Sequence, residues 1–161
     1  MTFISSVKDP EALSLIIVNE FDADVERVWQ IWEDPRQLER WWGPPSWPAT
    51  FTEFDFTVGG LAHYYMTGPE GEKAGGWWKF ALIEGPTTLE IEDGFADEDG
   101  HPVDELGVTG MRMTLEDIGG RTRMTITSRF ESAEQLQKMV EMGMEEGMKE
   151  AASQIDAILA E

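Results

Sequence analysis

The sequence predicts an α+β fold: one antiparallel sheet, wet on one face, with two small helices and a long C-terminal helix on the other. Three observations carry this. Residues 12–42 pair a short apolar run with helical spacing. From residue 50 the hydrophobic period drops to two and stays there through six segments parted by Gly- and Pro-rich turns. Residues 132–161 return to a helical period. The order β-α-α-(β)6-α places one helix over the apolar face of one sheet.

Each element has a local reason. "ALSLIIVN" (12–19) is rich in Ile and Val and reads as a buried strand. Asp22 or Asp24 caps a helix in which Val25, Val28, Trp29 and Trp32 recur at helical spacing, and Pro35 ends it. "PRQLERWW" makes a second helix with Pro35 in its first turn, stopped by "GPP". "TFTEFDFTV" (50–58) alternates, with Phe54, Phe56 and Val58 on one face. "LAHYYMT" (61–67), the turn "GPEGEK" and "AGGWWKFALI" (74–83) form a hairpin that sends Trp78, Phe80 and Leu82 inward and Lys79 outward. "LEIEDGF" (89–95) follows. "GVTGMRMTLE" (107–116) turns Met111, Met113 and Leu115 inward, and "RMTITSRF" (123–130) does the same with Met124, Ile126 and Phe130. Three consecutive hairpins with polar alternate faces indicate an antiparallel sheet wet on one side. Ser132 and Gln135 form a capping box for the last helix. Its apolar stripe runs through Leu136, Met139, Val140, Gly143, Gly147, Ala151, Ile155 and Ile158.

With 161 residues, 41% of them hydrophobic, the chain is long enough for one domain spanning 1–161 with a core that needs no covalent staple. It has no cysteine, hence no disulfide and no thiolate nucleophile. Thirty-two acidic residues against 12 basic ones give a net charge of −20. Phosphate backbones and anionic lipid surfaces demand clustered Lys and Arg, so nucleic acid is excluded as a partner and the membrane surface disfavoured. No apolar run reaches the roughly 20 residues of a membrane span, and the start lacks a signal-peptide pattern. The expected compartment is the cytoplasm.

"RWWGP" after two helices, "FDFTVGG" before a strand, "MTGPEG" in a hairpin, "MTITSRF", and "GMEEGMKEAASQIDAIL" at the end occur in register. Together they resemble the bacterial family named after the activator of the heat-shock-protein-90 ATPase. That family belongs to the START/polyketide-cyclase (SRPBCC, birch-pollen-allergen-like) superfamily with the helix-grip fold, and the resemblance covers about residues 12–160. It implies a curved sheet closing round the long helix to leave an apolar cavity, with the small helices at its entrance. Trp41 and Trp42 would then stand near the gate, Trp42 being the partly exposed and mobile one. Two positions depart from the family pattern: Thr57-Val58, where a basic residue or Pro is usual, and Met148, where Trp often follows the second Gly.

For such a cavity the inward strand faces offer Phe54, Phe56, Tyr64, Met66, Trp78 and Phe80, then Met111 and Met113. The helix offers Met139, Gly143, Met144 and Gly147. Nine methionines favour a deformable pocket, although Met also fills ordinary cores. Gly143 and Gly147 mark either a cavity or close helix-on-sheet packing, the ordinary meaning of small residues on a buried face. No phosphate loop, dinucleotide fingerprint or nucleophile elbow is present, and no cofactor is called for. Tyr64, at an inward position, is the one candidate for acid–base chemistry, whereas Glu53 and Asp55 fall on the wet face. His63 and His101 fall apart, which gives no metal site. Aligning "DGFADEDGHPVDE" with a calcium loop puts Phe95 and Leu106 where carboxylates are required. The function these features imply is binding of a hydrophobic or aromatic small molecule without turnover. The alternatives are a cyclase- or hydrolase-like enzyme using Tyr64, and an accessory domain for a chaperone. The band Arg112, Arg123 and Arg129 on the wet face either balances charge locally, the preferred reading, or docks an acidic protein partner.

Overall fold

The computed structural model describes residues 2–103, 105 and 107–161, the first two in backbone only. The antiparallel strands are β1 (Thr2–Asp9), β2 (Ser14–Phe21), β3 (Ala49–Phe54), β4 (Leu61–Thr67), β5 (Lys73–Glu84), β6 (Thr88–Ala96), β7 (Pro102–Val103), β8 (Thr109–Asp117) and β9 (Thr122–Arg129). They form one curved, open sheet in the order β1-β2-β9-β8-β6-β5-β4-β3, with β7 added beside β6. Between β2 and β3 lie α1 (Val25–Glu33) and α2 (Pro35–Leu38). The chain ends in α3 (Ala133–Glu141), α4 (Met144–Ala152) and α5 (Ile155–Leu159). No helix among the described residues is long and apolar enough to cross a membrane.

Asp24 caps α1, its carboxylate accepting from Arg27 N at 2.9 Å, and Asp34 caps α2 the same way through Arg36 N. Ser132 caps α3 by accepting from Gln135 N. The structure adds β1 and β7 to the seven expected strands. The first is joined to β2 by a turn in which Asp9 Oδ1 accepts from the N–H groups of Glu11 and Ala12. It escapes a periodicity reading because Ile4 and Val7, the apolar residues among its described side chains, are exposed.

Three local expectations are corrected. The strand at 50–58 ends at Phe54, and Val58 sits in the following turn, 66% exposed. Register breaks between Phe51 and Glu53, a bulge that buries Phe51 as well as turning Phe54 inward. A second break, between Phe80 and Leu82, turns Ile83 against the core in place of Leu82. The single long helix is three segments. Gly143 adopts φ 90°, a left-handed conformation that suits glycine, and the chain changes direction there.

The break divides the core in two. α3 covers a small cluster of Leu15, Ile17, Phe130, Leu136 and Met139. α4 and α5 cover a larger one rich in aromatic rings. There Trp32 meets Trp41 edge-on at 4.8 Å, Trp42 meets Trp78 at 4.8 Å, and Phe54 stacks on Phe56 at 5.7 Å. Trp41 Nε1 donates to Ile31 O at 3.0 Å. Gln154 Nε2 donates to Gly43 O at 2.6 Å, tying the C-terminal arm to the Trp-Trp-Gly turn.

On the outer face two of the three arginines of the band, Arg112 and Arg123, are paired with acidic neighbours. Arg112 binds Glu90 at 2.8 Å, Arg123 binds Glu20 at 3.1 Å, and Arg121 sits 3.5 Å from Glu20. Arg129 is exposed. Such half-exposed pairs contribute about 1 kcal/mol or less each.

Of the three tryptophans around the Gly-Pro-Pro turn, Trp41 and Trp42 are buried and Trp47 is half-buried. Trp41→Ala is therefore expected to destabilise the fold by about 3–5 kcal/mol in chemical denaturation. Trp47→Ala should cost less than about 2 kcal/mol.

Candidate functional site

Between the sheet and the α3–α4 junction lies a cavity of about 280 Å³. The sheet contributes Tyr64 and Met66 from β4, Asp93 and Phe95 from β6, Thr109 and Met111 from β8, and Ile126 and Ser128 from β9. Over them lie Met139, Met144, Met148 and Ala151, with exposed Met142 at the rim, and Trp41, Trp42 and Pro44 close the side. The lining is mostly apolar, and methionines supply much of it, so its shape adapts at small energetic cost.

Of the residues expected from sequence, Trp41, Trp42, Tyr64, Met66 and Met111 line the cavity, as do Met139, Gly143, Met144 and Gly147. Phe54, Phe56, Trp78, Phe80 and Met113 belong instead to the packed core behind it. Trp42 was expected to be a partly exposed gate. It keeps only 9% of its surface, because its ring is held edge-on by Trp32, Trp78 and Tyr64. Close packing at Gly147 is also corrected: a Cβ built there meets no atom within 4 Å. Met148, where the family pattern has Trp, faces the cavity, whereas Val58 is exposed and takes no part in it.

The polar centre is Tyr64 with Asp93. Tyr64 Oη donates to Asp93 Oδ1 at 3.0 Å. The Tyr64 ring lies across β5 opposite Gly76, where a Cβ would come within 2.3 Å of Tyr64 Cζ. Glycine at 76 is what admits the ring. Asp93 pairs across the sheet with Trp78 on β5 and Thr109 on β8. Its omission from the expected site was avoidable, since Leu89, Ile91 and Asp93 share the inward parity of β6.

Burial pushes the Asp93 carboxyl up to about 7, against the pull of the Tyr64 and Trp78 donors. Burial, and then the adjacent Asp93 charge, push the Tyr64 hydroxyl well above its ordinary range, so it stays a neutral donor at physiological pH. The indole N–H groups of Trp42 and Trp78 are buried with no partner in hydrogen-bonding geometry, but both are near enough to ease the charge on Tyr64. Among the described residues the lining contains no Lys, Arg or His.

The histidines lie elsewhere. His63 Nδ1 is 3.1 Å from Glu53, and His101 Nδ1 is 3.6 Å from Asp97 at the β6–β7 turn. Asp97, Asp99 and His101 bring ligand atoms within 4.8 Å of one another, all exposed. Asp97 Oδ1 is already taken by the N–H groups of Asp99 and His101, at 2.9 Å each. In the calcium-loop alignment Phe95 lines the cavity, and Leu106 is outside the described residues.

A curved antiparallel sheet, a helical arm across it and a cavity between them define a helix-grip protein. The family model described as "Activator of Hsp90 ATPase homolog 1-like protein" matches residues 22–160, and the chain belongs to that family. A solution structure of a protein from Arthrobacter aurescens is similar over 99% of this chain and 92% of its own, with 69% identity and a TM-score of 0.95. A crystal structure of a protein from Mycobacterium smegmatis is 44% identical over 98% of this chain and 96% of its own, with a TM-score of 0.91. An AHSA1 protein from Silicibacter pomeroyi shares the fold at 20% identity over 91% of this chain and 97% of its own, with a TM-score of 0.73. No curated protein matches the chain.

The sign of the Asp93 effect is fixed. A carboxyl whose folded pKa is raised above its unfolded value stabilises the fold fully below about pH 4, and loses that contribution as pH rises through about 7. Asp93→Asn has no proton to lose there. Its stability should gain on the parent protein by roughly 2–4 kcal/mol between pH 4 and 8, read from paired denaturation curves. A difference independent of pH would contradict the burial of this carboxyl.

Proposed function

We propose that this protein, as one domain over residues 1–161, binds a hydrophobic small molecule in the cavity between the sheet and α3–α4. The observation that carries the reading is the open space at Gly147. A helix position bordering the space over the sheet would ordinarily be filled by a packed side chain, yet here a Cβ meets nothing within 4 Å. Leaving about 280 Å³ unfilled between a helix and the sheet forfeits dispersion contacts, and a ligand restores them. The family membership supports the same reading, because the helix-grip fold resembled by the sequence is built to enclose such a space.

A second reading, proton transfer to or from the bound molecule, is favoured by Tyr64 and Asp93 standing 3.0 Å apart within the lining, with Asp93 held near neutrality. A compound consumed by the parent protein but not by Asp93→Asn would establish it.

Gly147→Leu tests the binding reading. Leucine favours the helix over glycine by up to about 1 kcal/mol, and its side chain enters the free space. Stability should hold or rise, while affinity for an environment-sensitive apolar dye, displaceable by fatty alcohols, falls at least about tenfold, a loss of about 1.4 kcal/mol. Unchanged dye affinity in a folded Gly147→Leu protein would remove the cavity as the binding site.

A further inference from the structure

We propose that the ligand of this cavity is an amphiphilic amine, its ammonium group held by the Asp93 carboxylate and its apolar body by the methionine-rich walls. The inference rests on the cavity being a ligand site.

The reason is a charge that the protein leaves without a counterion. Asp93 accepts from Tyr64 at Oδ1, and the neutral Trp78 indole N–H stands near it without hydrogen-bonding geometry. The groups facing it are then exhausted quickly. β4 brings Tyr64 and Met66, β8 brings Thr109 and Met111, and β9 brings Ile126 and Ser128. Trp78 is its partner on β5, and the helical arm brings methionines, Gly143, Gly147 and Ala151. Among the described residues of the lining Tyr64 is the only other titratable group, and it is neutral. A carboxylate in an apolar site is unfavourable unless paired, and where Asp93 is ionised the pairing has to come from what enters.

The three plausible head groups differ sharply in what they gain. An alcohol adds one neutral hydrogen bond to Asp93. A carboxylate meets like charge and requires one of the two groups to take up a proton. An ammonium adds a charge-assisted hydrogen bond at low dielectric, beside the aromatic rings of Trp42 and Tyr64, which themselves favour cations. The net charge of −20 adds a weaker, non-local attraction for any cation. That attraction is screened by salt, whereas the contact at Asp93 is not.

Octylamine, octanol and octanoate share one chain and differ in the head group. Their affinities can be read from intrinsic tryptophan fluorescence at about pH 8 and about 150 mM salt. Octylamine should bind at least about tenfold tighter than octanol, and octanoate should bind weakest. Asp93→Asn should erase the amine advantage, so that octylamine binds no tighter than octanol to the variant. The unmodified protein supplies an independent reading. At about pH 5 octylamine is still a cation but Asp93 carries its proton, so the advantage should vanish there too. An amine advantage that survives in Asp93→Asn, or persists unchanged at about pH 5, overturns the inference. Octanol binding with no amine advantage leaves the cavity reading standing and removes this one. Failure of all three to bind removes both.

Discussion

A straight helix can touch a curved sheet along only part of its length, and the C-terminal arm of this protein answers that mismatch by breaking at Gly143. The left-handed backbone there, with φ 90°, separates α3 from α4. α3 can then settle on the Leu15, Ile17 and Phe130 cluster while α4 and α5 settle on the aromatic core. The second anchorage is fixed from the far end, where Gln154 reaches the carbonyl of Gly43 and Arg27 reaches that of Ile158. Between the two anchorages the arm stands off the sheet. The cavity is that stand-off, and Gly143 and Gly147 both border it.

The treatment of polar groups follows from the same geometry. Some buried indoles are paired within the fold, as Trp29 is with Glu33 and Trp41 with Ile31 O, while those of Trp32 and Trp77 have no partner in hydrogen-bonding geometry. Two more such indoles and a lone acid stand at the cavity or just behind it. The N–H groups of Trp42 and Trp78 have no partner in hydrogen-bonding geometry, and Asp93 has one donor and no counterion. Each unpaired group costs roughly 1–3 kcal/mol in a dry interior. What sets the cavity apart is Asp93, an acid with no cation among the described residues of the lining, and the proposed ligand is the partner that would complete it.

The fold was legible because period and punctuation agree throughout: Ser132 caps where the helical stripe begins, and Met111, Met113 and Leu115 alternate as a one-sided strand demands. What escaped were features with no periodic signature. A bulge between Phe80 and Leu82 exchanges the faces of two apolar residues, and either register satisfies the composition. The division of inward residues into core and cavity is likewise silent in sequence. Met113 and Met111 share a face, but Met113 lies under the aromatic core while Met111 lies under the stand-off of the helix. Trp42 looked like a gate because it adjoins Gly43, yet three neighbouring rings hold it in place. Asp93 was readable by parity alone, an acid in line with Leu89 and Ile91, and its partner Tyr64 was already in view.

The methionines allow the stand-off to be tested directly. Met66, Met111, Met139, Met142, Met144 and Met148 border the cavity, whereas Met113 and Met124 are fully buried in the core. Methyl resonances of ¹³C-labelled methionine, recorded as xenon is dissolved into the sample, report occupancy of apolar free space without any demand on head-group chemistry. A space between arm and sheet requires saturable shifts at the bordering methionines, strongest at Met139, Met144 and Met148, with Met113 and Met124 unmoved. Shifts confined to exposed Met142, or spread equally over core and border methyls, would mean that the arm lies flat on the sheet and that no cavity exists in solution.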